Sequence, residues 1–233
     1  MAFAPVTLVG TNGITEADAR IMKQLWDGPT DEAGNRLWYG FRPGVLFWNK
    51  VIPIGAFYYT LSGKPRPFFL STYYLRWVTK NPKQTFESLT VPQYRSLHRQ
   101  SVTELARFSA DSADLHPFAA HGGKLMIDHG IDDPLIPVDG TLDYCRRMLS
   151  EVGAAKAEQF FRLYITPGDG HGSCRWHAPG ITEKDGMQAL IAWVETGSAP
   201  QALRTVQVNR HGDTLRTDQV RPYTIQNHEE DEA

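Results

Sequence analysis

Residues 122–172 read GGKLMIDHGIDDPLIPVDGTLDYCRRMLSEVGAAKAEQFFRLYITPGDGHG, from Gly122 to Gly172, and this stretch decides the fold. Lys124 to Ile127 is a short apolar run behind the turn residues Gly122 and Gly123, which suits a buried strand. After a loop with Asp132, Asp133, Pro134 and Pro137, the segment Gly140 to Leu149 sets Leu142, Cys145 and Leu149 at i, i+3, i+7, a helical stripe expected to end near Gly153. Phe161, Leu163 and Ile165 alternate as in a second strand. Beyond a glycine-rich loop, Met187, Leu190, Ile191 and Val194 mark a last helix closed by Gly197. Strand, helix, strand, helix predicts an α/β chain whose sheet is parallel and flanked by helices.

In such sheets ligands sit beyond the carboxyl ends of the strands. Here those ends are Asp128 to Leu135 and Thr166 to Ser173. An acidic residue follows one strand and His171 follows the next, so a carboxylate and an imidazole can meet at one edge. That order matches the second and third members of a Ser, Asp, His triad, in which the imidazole moves the proton and the carboxylate holds its tautomer. Spacing alone leaves a structural role open, because loop aspartates cap helices and glycine-flanked histidines occupy exposed turns. His171, Cys174 and His177 also offer zinc-ligating types, yet a fourth ligand is not evident and the spacing is not that of a zinc motif.

Upstream, Thr15 to Asp18 reads as a helix start with Asp18 in the capping-box position, Ala17, Ile21 and Leu25 on one face, and a stop at Gly28-Pro29. Thirteen aromatic residues, half of those in the chain, fall between Leu37 and Lys80, interspersed with proline and glycine. This predicts an irregular, loop-rich segment whose rings either fill a small core or line a groove for a flat ligand. Downstream, Thr205 to Val208 and Thr214 to Val220 suggest paired strands about a turn, and residues 226–233 an acidic, disordered tail.

With 41% hydrophobic and 21% charged residues, wholesale disorder, collagen and coiled coil are excluded. A net charge of −2, without a basic cluster, argues against nucleic-acid binding. The first ten residues lack a basic region and are broken by Pro5 and Thr7, unlike a secretory signal, and no apolar run is long enough to span a membrane. Two cysteines are too few for a disulfide scaffold, and Cys145 on the helix stripe reads as a buried thiol.

The run Gly122 to Gly130, then Asp133-Pro134-Leu135-Ile136-Pro137 and Gly140 to Tyr144, resembles the acid-bearing segment of the tannase and feruloyl esterase family. Asp114-Leu115 with Phe118 resembles the lead into that strand, Phe161 to His171 the family's histidine loop, and Trp193 to Gly197 with Ala199-Pro200 its final helix. Asp27 to Asp31 with Gly34 and Gly40 resembles the end of its lid. The resemblance covers roughly residues 12–222.

It implies a serine carboxylic-ester hydrolase with an α/β-hydrolase fold, acting on esters of aromatic acids such as gallate, hydroxycinnamate or terephthalate types. Asp133 and His171 fall on its catalytic positions, and Trp38, Phe47, Trp48 and Tyr58 are candidates to contact substrate. On this reading residues 1–110 are the C-terminal part of the lid region and residues 111–225 the C-terminal part of the hydrolase domain. No serine stands in a G-x-S-x-G context, so the nucleophile is expected in a missing N-terminal part, a potential partner of this chain. The family's calcium loop would also precede Met1, so no metal and no cofactor are expected, nor a membrane partner. Many relatives pair a cysteine directly after the histidine with one before the serine; Gly172 stands there, and Cys174 marks either a shifted loop or a lost bridge. Full-length relatives are expected to be secreted or periplasmic. Two other readings stay open: a catalytically dead module that binds aromatic acids, and a hydrolase using Ser173 or Cys174.

Overall fold

A computed structural model describes residues 15–45, 69–172, 175, 178–209 and 211–225. They fall in two compact units. One takes in the described residues of Met1–Asp27, Tyr39–Val45 and Asp111–Ala233, the other those of Gly28–Trp38 and Leu46–Ala110. No described helix is long and apolar enough to cross a membrane.

The larger unit opens on α1 (Glu16–Asp27). Thr15 Oγ1 accepts from the Asp18 amide at 3.2 Å and Asp18 Oδ2 from the Thr15 amide at 2.8 Å, so Asp serves where Glu is usual. The buried face is not Ala17, Ile21 and Leu25. Ala19 is buried and Met22 and Trp26 are partly so, while Ile21 and Leu25 are exposed. Both stripes have helical spacing, and the one carrying the larger indole has the greater area to remove from water.

After α4 (His116–Ala120), β1 (Leu125–Gly130) lies parallel to β2 (Phe161–Thr166), with Leu125 opposite Phe161 and Gly130 opposite Thr166. They are joined through α5 (Val138–Val152) and the short α6 (Ala154–Ala157). Leu125, Ile127, Phe161, Leu163 and Ile165 project to one face, where Val138, Leu142, Cys145, Met148 and Val152 of α5 cover them. Cys145 is fully buried, and burial pushes its thiol up to about 12.

On the opposite face Met126 and Tyr164 pack with Ile181, Leu203, Val220 and Ala189. Ala189 belongs to α7 (Glu183–Thr196), capped by Thr182 Oγ1 at its start and by Gly197 at φ 74° at its end. Trp193, not the expected stripe, is this helix's buried residue: it is 1% exposed, whereas Met187 and Val194 are 58% and 60% exposed. Lys124 Nζ and the Arg162 guanidinium lie 5.5 and 5.3 Å from its ring centroid, so cations flank the indole. Among the described residues only β1 and β2 pair in parallel; β3 (Gly180–Ile181), β4 (Leu203–Val208) and β5 (Thr214–Val220) form an antiparallel sheet in that order. The expected C-terminal hairpin is therefore present, with the two-residue β3 added at its edge.

In the smaller unit, α2 (Phe69–Val78) replaces the irregular structure expected at the end of the aromatic segment. No proline or glycine falls between Pro67 and Pro82, which leaves room for nearly three turns. Its rings are mostly outward: Tyr73 and Trp77 are exposed and Leu75 is buried. Helix α3 (Val91–Leu105) begins at a reciprocal Thr90/Gln93 cap, and Arg95 Nε donates to the Thr30 carbonyl at 2.8 Å. Trp38 is half-exposed, and Phe47, Trp48 and Tyr58 lie outside the described residues.

Candidate active site

The two loops at the carboxyl ends of β1 and β2 are stitched backbone to backbone. Ile131 N donates to Thr166 O at 3.0 Å and Asp132 N to Asp169 O at 3.1 Å. Gly130 makes this approach possible, since a Cβ there would collide with the Asp169 carbonyl.

Across this junction His171 Nδ1 lies 2.9 Å from Asp133 Oδ2. Asp133 is held in an Asx turn: its Oδ1 accepts from the amides of Leu135 at 2.7 Å and Ile136 at 3.0 Å. Its neighbour Asp132 points elsewhere, against Gly44 and within the field of Arg42, and burial raises its carboxyl while Arg42 opposes the rise. The structure thus brings Asp133 and His171 together and leaves Asp132 out.

Behind Asp133 stands a second imidazole. His129 Nε2 is 3.0 Å from the Ile136 carbonyl and 3.6 Å from Asp133 Oδ2, and Nδ1 is 2.8 Å from Thr141 Oγ1. Burial pushes the Asp133 carboxyl up, but contacts from His129, the Ile136 and Leu135 amides and His171 outweigh it and hold it at about 2. Burial pulls His129 down, and Asp133 with the Ile136 carbonyl more than reverses this, leaving it above the ordinary histidine value. Sequence spacing marks neither His129 nor Thr141 as a site residue. The signal for Thr141 is a hydroxyl on the face of α5 that carries Val138 and Cys145.

A carboxyl group lowered on folding stabilises the protein above its unfolded value and loses that contribution as the pH falls through the folded one. For Asp133 the window runs from about 4 down to about 2, with a size on the order of 2 kcal/mol. Urea unfolding measured across that window should show wild type losing this increment relative to Asp133→Asn, which lacks the titration. Parallel pH profiles would contradict the assignment.

Among the described residues no group of three or more His, Cys, Asp or Glu is placed to hold a metal ion. Cys174 and His177 of the zinc-like spacing, and Ser173, lie outside the described residues.

A family model described as tannase and feruloyl esterase matches residues 4–229. A probable feruloyl esterase of Arthroderma benhamiae is 27% identical over 231 residues, spanning 91% of this chain and 41% of that protein. Mono(2-hydroxyethyl) terephthalate hydrolase of Piscinibacter sakaiensis is 38% identical over 96 residues, 40% of this chain and 15% of that one. The crystal structure of feruloyl esterase B from Aspergillus oryzae superposes with a TM-score of 0.71 at 19% identity, over 90% of this chain and 42% of that chain, which shows a shared fold. The chain spans about two fifths of the length of the first and third of these. With the match running through both loops and every described strand, the chain belongs to the tannase and feruloyl esterase family.

Proposed function

We propose that this chain carries the acid and the base of a serine carboxylic-ester hydrolase, with Asp133 orienting His171 and the serine supplied from outside these 233 residues. The observation that carries the reading is the 2.9 Å contact between His171 Nδ1 and Asp133 Oδ2 at adjacent carboxyl ends of parallel strands. Asp133 is 6% exposed at its side chain and His171 46%, so the acid is sequestered while the ring stays open to a second reactant.

An ionised carboxylate can only accept, so it selects the tautomer with hydrogen on Nδ1 and leaves Nε2 bare. Nε2 then takes the serine proton as the oxygen bonds to the ester carbonyl carbon. It returns that proton to the departing alcohol when the carbon–oxygen bond breaks. Water repeats the sequence on the acyl-enzyme and releases the acid. The serine's outside origin is supported by the lack of a G-x-S-x-G serine here and by the share of relatives' length that the chain spans. The names of the relatives, feruloyl and terephthalate esterases, favour an ester with a flat aromatic acyl group.

Assaying the folded chain on a feruloyl or terephthaloyl ester, alone and after co-expression with a polypeptide that carries the family's serine-bearing segment, tests this. Cleavage should be negligible alone and rise by several orders of magnitude in the complex, since loss of a triad nucleophile costs about a millionfold. A stable complex that remains inactive would count against the reading.

A further inference from the structure

We propose that His129, fixed by Thr141, is a positioning residue that holds the Asp133 carboxylate in place for His171. The inference rests on the reading of Asp133 and His171 given above and extends their pair into a four-residue polar chain, Thr141, His129, Asp133, His171.

The argument is one of donors and acceptors. The Ile136 carbonyl, 3.0 Å from His129 Nε2, can only accept, and so can the ionised Asp133 Oδ2 at 3.6 Å. Nε2 must therefore carry hydrogen, donated to the Ile136 carbonyl and lying beside Asp133 Oδ2 at ion-pair range. In the neutral ring Nδ1 is then a bare acceptor, and among the described residues the Thr141 hydroxyl, at 2.8 Å, is the donor set against it. The Ile136 carbonyl thus selects the tautomer, and the Thr141 hydroxyl, donating to Nδ1, fixes the rotation of the ring. The hydroxyl can do so because side chains on β1 alternate: His129 shares the face of Ile127, the face covered by α5, on whose first turns Thr141 lies.

Burial separates the roles of the two imidazoles. Both bear on the same oxygen, Asp133 Oδ2, while Oδ1 is held by the Leu135 and Ile136 amides. His129 is 10% exposed at its side chain and His171 46%. The half-exposed ring, which on the proposed reading moves protons, is the freer of the two to turn. The enclosed one, tied at both nitrogens, anchors the carboxylate.

The test is the tautomeric state of His171 in the 233-residue chain, read from nitrogen-15 shifts correlated to the carbon-bound ring protons at a pH where both rings are neutral. Free histidine prefers hydrogen on Nε2; in the wild type His171 should carry it on Nδ1. Thr141→Val and His129→Leu should cut the Nδ1–H share by about twofold or more, while Thr141→Ser and His129→Gln, which keep a hydroxyl and an N–H donor, should retain it. Thr141→Val is nearly isosteric and serves if His129→Leu does not fold. A His171 tautomer unchanged in both Thr141→Val and His129→Leu would overturn the positioning role. A wild-type His171 with hydrogen on Nε2 would instead sink the underlying Asp133–His171 reading, and no variant is needed to see it.

Discussion

In the enzyme assembled with a serine-bearing polypeptide, Asp133→Asn is expected to lower turnover about 10⁴-fold with little change in KM, and His171→Ala by 10⁴-fold or more. On the proposed mechanism the carboxylate sets the tautomer, so its loss should strike a transition state in which the imidazole becomes charged, rather than the binding of ester. An asparagine side chain fits the same space and its oxygen can still accept from the Leu135 and Ile136 amides. Its amide group then faces His171 as a donor and favours hydrogen on Nε2, where it blocks proton uptake. His171→Ala removes the base entirely, while the Asx turn of Asp133 persists without it. Steady-state kinetics on an aromatic ester, with circular dichroism to confirm folding, checks both. A tenfold effect or less for either would mean that the pair is structural.

The second large effect is expected at Gly130. An added Cβ would overlap the Asp169 carbonyl oxygen and lie 2.6 Å from its carbon and 2.8 Å from Gly170 O. These are backbone atoms, Asp169 O held by the Asp132 amide and the nearby Thr166 O by the Ile131 amide, so no side chain can swing aside. Gly130→Ala should cost about 3 kcal/mol, the upper end for overpacking, and shift the histidine loop enough to lower turnover about 10²-fold. Gly186→Ala is the control. It sits inside α7, its Cβ would meet nothing closer than Ile181 Cγ2 at 3.6 Å, and replacing a helical glycine should stabilise by about 0.5–1 kcal/mol. Urea denaturation of both variants decides the matter, and a neutral Gly130→Ala would show that the loops are not held so closely.

The contrast between these glycines illustrates what was legible in the sequence. Periodicity located β1, α5, β2, α7 and the β4–β5 hairpin, because each buries one face and writes its period into the chain. It did not say which of two apolar stripes would be buried. On α7 the Met187, Ile191, Val194 stripe lost to Trp193, since helical spacing marks both and only what lies opposite chooses, here the Lys124 and Arg162 side chains against the Trp193 ring. Helix α2 was missed because aromatic density masked ten residues free of helix breakers. The two-residue β3 was missed because it is too short to carry a pattern.

The site divides along the same line. Strand order sends Asp133 and His171 to one sheet edge, which spacing anticipates and family resemblance sharpens. Which of two adjacent aspartates faces the imidazole depends on the turn after Gly130, and the His129 and Thr141 support spans a strand and a helix. Neither leaves a local signature beyond a polar residue at a core-facing position.

The account turns on an acid and a base in this chain acting on a serine that lies elsewhere. An active-site fluorophosphonate, followed by peptide mapping of the mixed polypeptides, addresses this most directly. Phosphonylation is predicted on a serine of the added polypeptide, with none on the 233 residues, and should disappear in His171→Ala. Stoichiometric, His171-dependent labelling of Ser173 in this chain alone would contradict it.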